Sequence, residues 1–243
     1  MHAITIENLS KKYNDRIAVD RLSLTINKGE LLAFLGFNGA GKTTTIKMLS
    51  SLVTPTSGDA VIFGKRITNE MDEIKPYLNI SPQETAIAPN LTVFENLIFI
   101  AEVYGMKSIN AKSKAIDMMT KFDLTDRKND KAKKLSGGLK RRLSLAMALI
   151  TEPKIVFLDE PTLGLDVRAR RDLWKVIKEL KGEVTIILTT HYLEEVNALA
   201  DRIAIIDKGK LLVNGTLIEL QEKTGLNSLE DIFLSLTEGD IVK

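Results

Sequence analysis

Leu31-Leu32-Ala33-Phe34-Leu35-Gly36-Phe37-Asn38-Gly39-Ala40-Gly41-Lys42-Thr43-Thr44 joins an unbroken apolar run to a glycine-rich turn and then to a polar, helix-like stretch. An apolar run of this length between turn signals predicts a strand covered on both faces, and Lys42–Leu52 predicts the helix that follows. Between them, Gly36 to Thr43 fits the pattern G-x-x-x-x-G-K-[ST]. Each position has a chemical reason. Glycines let the backbone curl until successive N–H groups point inward as an anion nest, and the helix adds its positive N-terminal end. Lys42 supplies a mobile ammonium for β- and γ-phosphates, and the Thr43 hydroxyl suits a Mg²⁺ ligand. A glycine-rich turn with a chance lysine is the bland alternative, but it does not explain the strand and helix flanking it in the required order. The expectation is an ATP-binding loop over Gly36–Thr44, in which Asn38, Gly39, Ala40, Gly41 and Thr44 surround Lys42 and Thr43.

Outward from this loop, apolar runs recur at Ile155–Leu158, Val184–Leu188 and Ile203–Ile206, near-continuous rather than alternating. Helix-like stretches, Val167–Leu180 and Tyr192–Ala200, separate them, which predicts an α/β layered fold around a parallel sheet. Thr5–Leu9 and Leu22–Ile26 instead alternate apolar and polar, as half-exposed antiparallel strands do. No strand is predicted from about residue 84 to 153. Val93–Tyr104, Ala111–Phe122 and Leu139–Ile150 read as helices there, so a helical lobe inserted between two sheet strands is the simplest arrangement. The charged run Lys128–Lys134 reads as a solvated loop.

Two further positions carry chemistry. The run Ile155–Leu158 ends in Asp159-Glu160. The first acid can hold Mg²⁺ through water beside the phosphate loop, and the second can polarise an attacking water as general base. Alone, such a pair is as readily a solvated acidic turn; beside the phosphate loop the catalytic reading prevails. His191 follows Val184–Thr189 at the carboxyl end of a sheet strand, where α/β sheets bind ligands. There it can hydrogen-bond a γ-phosphate and hold the water-polarising acid. His2 lies at the chain start and receives no role.

Composition narrows the function classes. The 243 residues carry 34 basic and 32 acidic side chains, a formal net charge of +2 that predicts no bulk attraction to nucleic acid. Cysteine is absent, so disulfides, thiolate zinc sites and cysteine nucleophiles are excluded. The opening MHAITIENLS lacks the basic and apolar regions of a secretion signal, and no apolar run approaches the roughly 18 residues of a membrane span. Work at a membrane would go through a partner.

In their order and spacing, these residues resemble one family: the nucleotide-binding domain of ATP-binding cassette (ABC) transporters. The resemblance covers nearly the whole chain. Gly36–Thr44 resembles the Walker A motif and Ile155–Glu160 the Walker B motif. Leu135-Ser136-Gly137-Gly138-Leu139 resembles the family's signature, Gln83 its Q-loop glutamine, Leu163-Gly164-Leu165-Asp166 its D-loop, His191 its switch histidine, and Tyr13 the aromatic that stacks on adenine. The resemblance implies a P-loop NTPase (RecA-like) core with an N-terminal antiparallel β subdomain, spanning 1–83 and 154–243, and an inserted α-helical subdomain at about 84–153. It implies that Glu160, His191 and Gln83 are catalytic and that Thr43, Gln83 and Asp159 hold Mg²⁺. ATP would be held by Tyr13, the phosphate loop, and the signature residues Ser136, Gly137 and Gly138.

Ser136 is also a good N-cap, and the two glycines bare backbone N–H groups at a helix start, which makes a second anion site. The resemblance implies a head-to-tail homodimer or heterodimer, with each ATP between one subunit's Walker A loop and the other's signature. Leu139 stands where the family usually has glutamine; the phosphate-facing donors are kept, so sandwiching is expected to survive. Gln83-Glu84 followed by Leu91–Leu97, the stretch Thr190–Glu195, and Leu229–Thr237 resemble the ATPase subunits of ABC-2 type exporters. That branch implies a separate membrane-spanning permease, a peripheral position on the cytoplasmic face of the membrane, and export. A soluble ABC ATPase powering assembly of a non-membrane complex is the alternative. Gln83 would couple the core to the lobe. Ile87, Leu91 and Phe94 either line a groove for a helix of the partner or pack the lobe's core.

Overall fold

Patterns of burial sort the strands into two sheets. His2–Tyr13 (β1) and Arg16–Asn27 (β2) alternate buried and exposed residues and pair antiparallel. With Ser57–Ile62 (β4) and the short Lys65–Arg66 (β5) they form a four-stranded sheet in the order β2-β1-β4-β5. Leu31–Leu35 (β3), by contrast, is buried at every position. It lies inside a second, six-stranded sheet of order β10-β9-β3-β8-β7-β6, built with Leu78–Ser81 (β6), Ile155–Asp159 (β7), Thr185–Thr190 (β8), Arg202–Asp207 (β9) and Lys210–Gly215 (β10). From β9 to β6 every pairing is parallel, and only β10 returns antiparallel. The computed structural model describes residues 1–238.

The period of two in a strand explains why these runs are continuously apolar. Leu31, Ala33 and Leu35 of β3 enter one core, with Val156, Leu158, Ile186, Leu188, Ile203 and Ile205. Leu32 and Phe34 enter the other, with Ile155, Phe157, Ile187, Ala204 and Ile206. The first core is closed by helices. The second is closed by the antiparallel sheet together with Lys42–Leu49 (α1) and the single turn Met71–Ile74 (α2). Each of these large side chains contributes about 1.5–3 kcal/mol by leaving water, so the sheet is held from both sides.

Between β6 and β7 lie Val93–Val103 (α3), Ser108–Lys121 (α4) and Gly137–Leu149 (α5). The described residues of this segment contain no strand, only an isolated bridge between Thr92 and Lys131. Thr92 and Glu95 make a reciprocal capping box that starts α3. The charged run at 128–134 is a loop as expected, apart from a short 3₁₀ turn and the buried Ala132 that anchors it. Ile87 and Phe94 are half-buried against the main core, which favours packing over a free groove at those positions.

After β7 come Val167–Glu179 (α6), Leu193–Leu199 (α7), Leu217–Thr224 (α8) and Leu229–Thr237 (α9). Helix bounds agree with the sequence expectation to within a few residues. The antiparallel strands do not: each runs to 12 residues because turns and bulges absorb the breaks in alternation. β4, β5, β6 and β10 carry no apolar run long enough to predict them.

Candidate functional site

The carboxyl ends of the parallel strands build the site. β3 delivers the loop 36–41, β7 ends in Asp159 with Glu160 next, and β8 ends at Thr190 just before His191. The loop demands glycine for steric reasons. A Cβ on Gly36 would lie 2.2 Å from the Ile206 carbonyl oxygen, and one on Gly41 would lie 2.5 Å from that of Ala18, where φ is also +105°. α1 starts directly on Gly41, and no side chain caps its first turn. Its leading N–H groups therefore remain available beside a cavity of about 470 Å³.

That cavity is lined by Tyr13, Asn38, Gly39, Ala40, Gly41, Lys42, Thr43, Thr44, Gln83, Glu160 and His191, residues from distant parts of the chain. Gly36 sits at the base of the loop, where its carbonyl accepts a hydrogen bond from Lys42 Nζ at 2.6 Å. The same ammonium reaches the Phe37 carbonyl at 3.1 Å and lies 3.5 Å from Glu160 Oε1. Burial pushes the Lys42 pKa down, and the Glu160 carboxylate works against that shift. Asp159 is buried behind Thr43. The Thr43 hydroxyl donates to Asp159 Oδ1 at 3.0 Å, and the Thr189 hydroxyl donates to the same oxygen at 2.5 Å.

Glu160 is held from every side. Its φ is +49°, the left-handed region that a residue with a Cβ enters at a cost of roughly 1–2 kcal/mol. Its N–H donates to both the carbonyl and the hydroxyl of Thr189, each at 3.1 Å. Its carbonyl accepts from Leu163 N–H at 3.2 Å and from Arg141 Nη2 at 3.0 Å. His191 Nδ1 stands 2.7 Å from Glu160 Oε2, at contact distance but not aligned as a hydrogen bond. A buried carboxylate and a histidine in contact with it thus share the cavity with the glycine-rich loop.

The residues that resemble the family signature lie elsewhere. Ser136 caps α5 by accepting from Leu139 N–H at 3.4 Å, and both Ser136 and Gly137 are exposed. Gly138 is wedged against α6, where a Cβ would meet that of Ala169 at 3.1 Å. None of the three lines the cavity. Tyr13, the last residue of β1, is 44% exposed at the cavity's edge, with Lys11 Nζ 5.0 Å from its ring centroid.

A second cavity of about 520 Å³ opens near the amino ends of the strands, lined by Phe63, Tyr77, Lys154 and Thr185 among others. Its lining carries the carboxylates Glu73 and Glu183 and three lysines, but no histidine and no glycine-rich loop running into a helix, so chemistry rather than size favours the site at 36–44. Sequence reasoning missed Arg16 in that site's wall, named Leu163 only as part of the D-loop resemblance, and missed Arg141. Arg16 left no signal. Arg141 left a faint one: it stands four and eight residues ahead of the buried Leu145 and Leu149, in phase with the covered face of α5.

Residues 19–163 match the family model described as ABC transporter. That span exceeds half of the chain. The chain belongs to the ABC transporter family. Full-length similarity agrees. It is 39% identical over 94% of its length to the linearmycin resistance ATP-binding protein of Bacillus subtilis, covering 74% of that protein. It is 40% identical over 93% of its length to the daunorubicin/doxorubicin resistance ATP-binding protein of Streptomyces peucetius, covering 69% of it. A solved ATP-binding subunit of an ABC transporter superposes with a TM-score of 0.86 at 28% identity, covering 96% of this chain and 99% of that one. A dimeric, post-hydrolysis ATP-binding cassette bound to ADP and Pi superposes with a TM-score of 0.79 at 25% identity, covering 88% of this chain and 98% of that one. The fold is that of an ABC ATPase, and the chain is the ATP-binding part of such a transporter.

Proposed function

We propose that this ABC protein is a Mg²⁺-dependent ATPase and the motor subunit of an exporter, dimerising head-to-tail around two ATP molecules and acting through a separate membrane-spanning permease. One observation carries the reading. Lys42, Thr43, Gln83, Glu160 and His191 share one cavity, while the anion-binding start of α5 lies outside it and exposed. Each copy then offers two half-sites, and a second copy completes both. The dimeric post-hydrolysis relative supports the assembly, and the two resistance proteins support export.

In this reading Tyr13 stacks on adenine, and the N–H groups of residues 38–44 cradle the phosphates. Lys42 bridges β- and γ-phosphates. Glu160 takes a proton from water as the water oxygen bonds to the γ-phosphorus, and the bond from that phosphorus to the bridging oxygen breaks, releasing ADP and phosphate. His191 holds Glu160 and donates to the γ-phosphate. Thr43, Asp159 and Gln83 are the residues that would hold Mg²⁺, which when bound neutralises charge on the phosphate oxygens. The residues fit that ion. Thr43 and Asp159 present hard oxygens 3.0 Å apart, and no cluster of three or more metal-ligating His, Cys, Asp or Glu occurs among the described residues. Mg²⁺ takes few protein oxygens and keeps water and substrate phosphate for the rest, unlike ions that need a protein cage.

The division into a core with β subdomain, 1–83 and 154–243, and a helical subdomain at about 84–153 belongs to the same proposal. α3–α5 would move as a unit that carries the signature. No helix among the described residues is long and apolar enough to cross a membrane. The permease and the position at the cytoplasmic face of the membrane belong to the exporter reading, which the two resistance proteins support. The test has two parts. The purified chain should release phosphate from ATP with Mg²⁺ and stop with a chelator. From a detergent extract of its host it should co-purify with a membrane-spanning protein. Absence of Mg²⁺-dependent turnover sinks the ATPase, and consistent recovery with soluble proteins alone sinks the exporter.

A further inference from the structure

Resting on that reading of the site, we propose that Arg141 is a positioning residue that ties the signature helix to the catalytic carboxylate of its own chain, and so couples the two ATP sites of the dimer. Arg141 lies one turn into α5, whose first residues are the signature. It is 5% exposed, and its guanidinium makes no ion pair within 4 Å among the described residues. Instead it donates to backbone: Nη1 to the Pro82 carbonyl at 2.7 Å, Nη2 to the Gln83 carbonyl at 2.9 Å, and Nη2 to the Glu160 carbonyl at 3.0 Å. Burial works against the charge, while Asp159, Glu195 and Glu160 nearby favour it. A buried cation spent wholly on carbonyls is unusual, because a neutral donor could satisfy them without the desolvation. The planar fork explains the choice, since one rigid group holds three acceptors on two separate segments.

Those segments are the ones that must act together. Pro82-Gln83 leaves β6 toward the helical lobe, and Glu160 carries its side chain into the cavity from a strained backbone. A shift of α5 therefore pulls on Gln83 and on the left-handed residue that aims the general base. In a head-to-tail dimer the signature of one chain touches the nucleotide in the other chain's loop. Arg141 then connects the state of one ATP site to the geometry of the base in its partner site. A misplacement of about 1 Å at such a base is worth roughly 100-fold in rate.

The experiment compares the full chain with Arg141→Met, Arg141→Lys and Thr92→Ala, the last removing a lobe helix cap distant from the site. ATPase rate against ATP concentration, ADP affinity by calorimetry, and thermal midpoint are measured for each. Arg141→Met should keep wild-type ADP affinity, lose on the order of 10-fold to 100-fold in kcat, and drop to a Hill coefficient near unity. Arg141→Lys should fall between it and wild type, because it keeps the charge and loses the fork. Thr92→Ala should lower the thermal midpoint and leave the Hill coefficient alone. The proposal is overturned if Arg141→Met keeps the wild-type Hill coefficient and kcat, if it loses only thermal midpoint as Thr92→Ala does, or if wild type itself is non-cooperative. A wild-type chain with no Mg²⁺-dependent turnover would instead overturn the proposed function before any variant is compared.

Discussion

Lys42 is the only side-chain cation in the phosphate loop, and its ammonium is already gathered onto the loop's own carbonyls. Charged hydrogen bonds of this kind contribute about 1.5–3 kcal/mol. Lys42→Ala should therefore weaken ATP binding by roughly ten- to a hundredfold, and unchanged affinity by calorimetry would remove the residue from the site. Glu195 presents a different residue-scale problem. It is wholly buried beside the site, and burial pushes its carboxyl above the usual carboxylate range. Trp174 Nε1 donates to its Oε1 at 3.1 Å. Between the ordinary and the raised pKa, the folded chain binds more protons at this group than the unfolded chain does. Stability therefore falls as pH rises through that window. Glu195→Gln keeps an acceptor for Trp174 and removes the titration. It should raise the thermal midpoint on the alkaline side of neutrality and flatten its pH dependence; a midpoint falling in parallel with wild type would show the carboxyl to be ionised throughout.

α9 is an element whose purpose only contacts reveal. Leu229, Ile232 and Phe233 enter the helical core, and the Phe233 ring meets Phe37 of the phosphate loop at 4.9 Å between centroids. The helix that closes the described chain thereby buttresses the loop at its start. Phe233→Ala should cost about 3–5 kcal/mol, the range for emptying a buried aromatic site, read as a shift of the denaturation midpoint at unchanged slope. A loss below about 1 kcal/mol, the worth of an aromatic pair alone, would mean that the site collapses around the gap. Elements differed in how plainly they could be read. The buried parallel strands and the amphipathic helices announced themselves through composition, since full burial on both faces demands unbroken apolar runs. β4, β6 and β10 did not, because each is short or partly polar and owes its pairing to a neighbour. Asn79 in β6 shows the reason: its amide donates to the Ala148 carbonyl and the Thr151 hydroxyl, partners that only the assembled lobe provides.

At the scale of the whole molecule the decisive expectation is assembly. Glu160→Gln keeps the glycine-rich loop and the start of α5 and removes the proposed base. It should bind Mg²⁺-ATP, lose on the order of 10²- to 10⁴-fold in turnover, and elute as a dimer in size-exclusion chromatography with Mg²⁺-ATP present. A strictly monomeric profile at saturating nucleotide would count against the head-to-tail arrangement. The motifs themselves were legible in the chain, because binding a triphosphate demands glycines, a lysine and a hydroxyl at fixed spacing, and such local demands leave a local pattern. Asp159, Glu160 and His191 could be named as candidates because each follows an apolar run at the end where parallel sheets expose their ligands. Only the tertiary structure decided that Tyr13, the loop after β3, Glu160 and His191 face one cavity while Asp159 is buried behind Thr43, that Glu160 sits in a left-handed backbone held by Thr189 and Arg141, and that residues 136–138 lie outside that cavity. The physical reason is that spacing along a strand or helix is written in neighbouring residues, whereas meetings across many tens of residues are set by how two cores fill on opposite faces of one sheet.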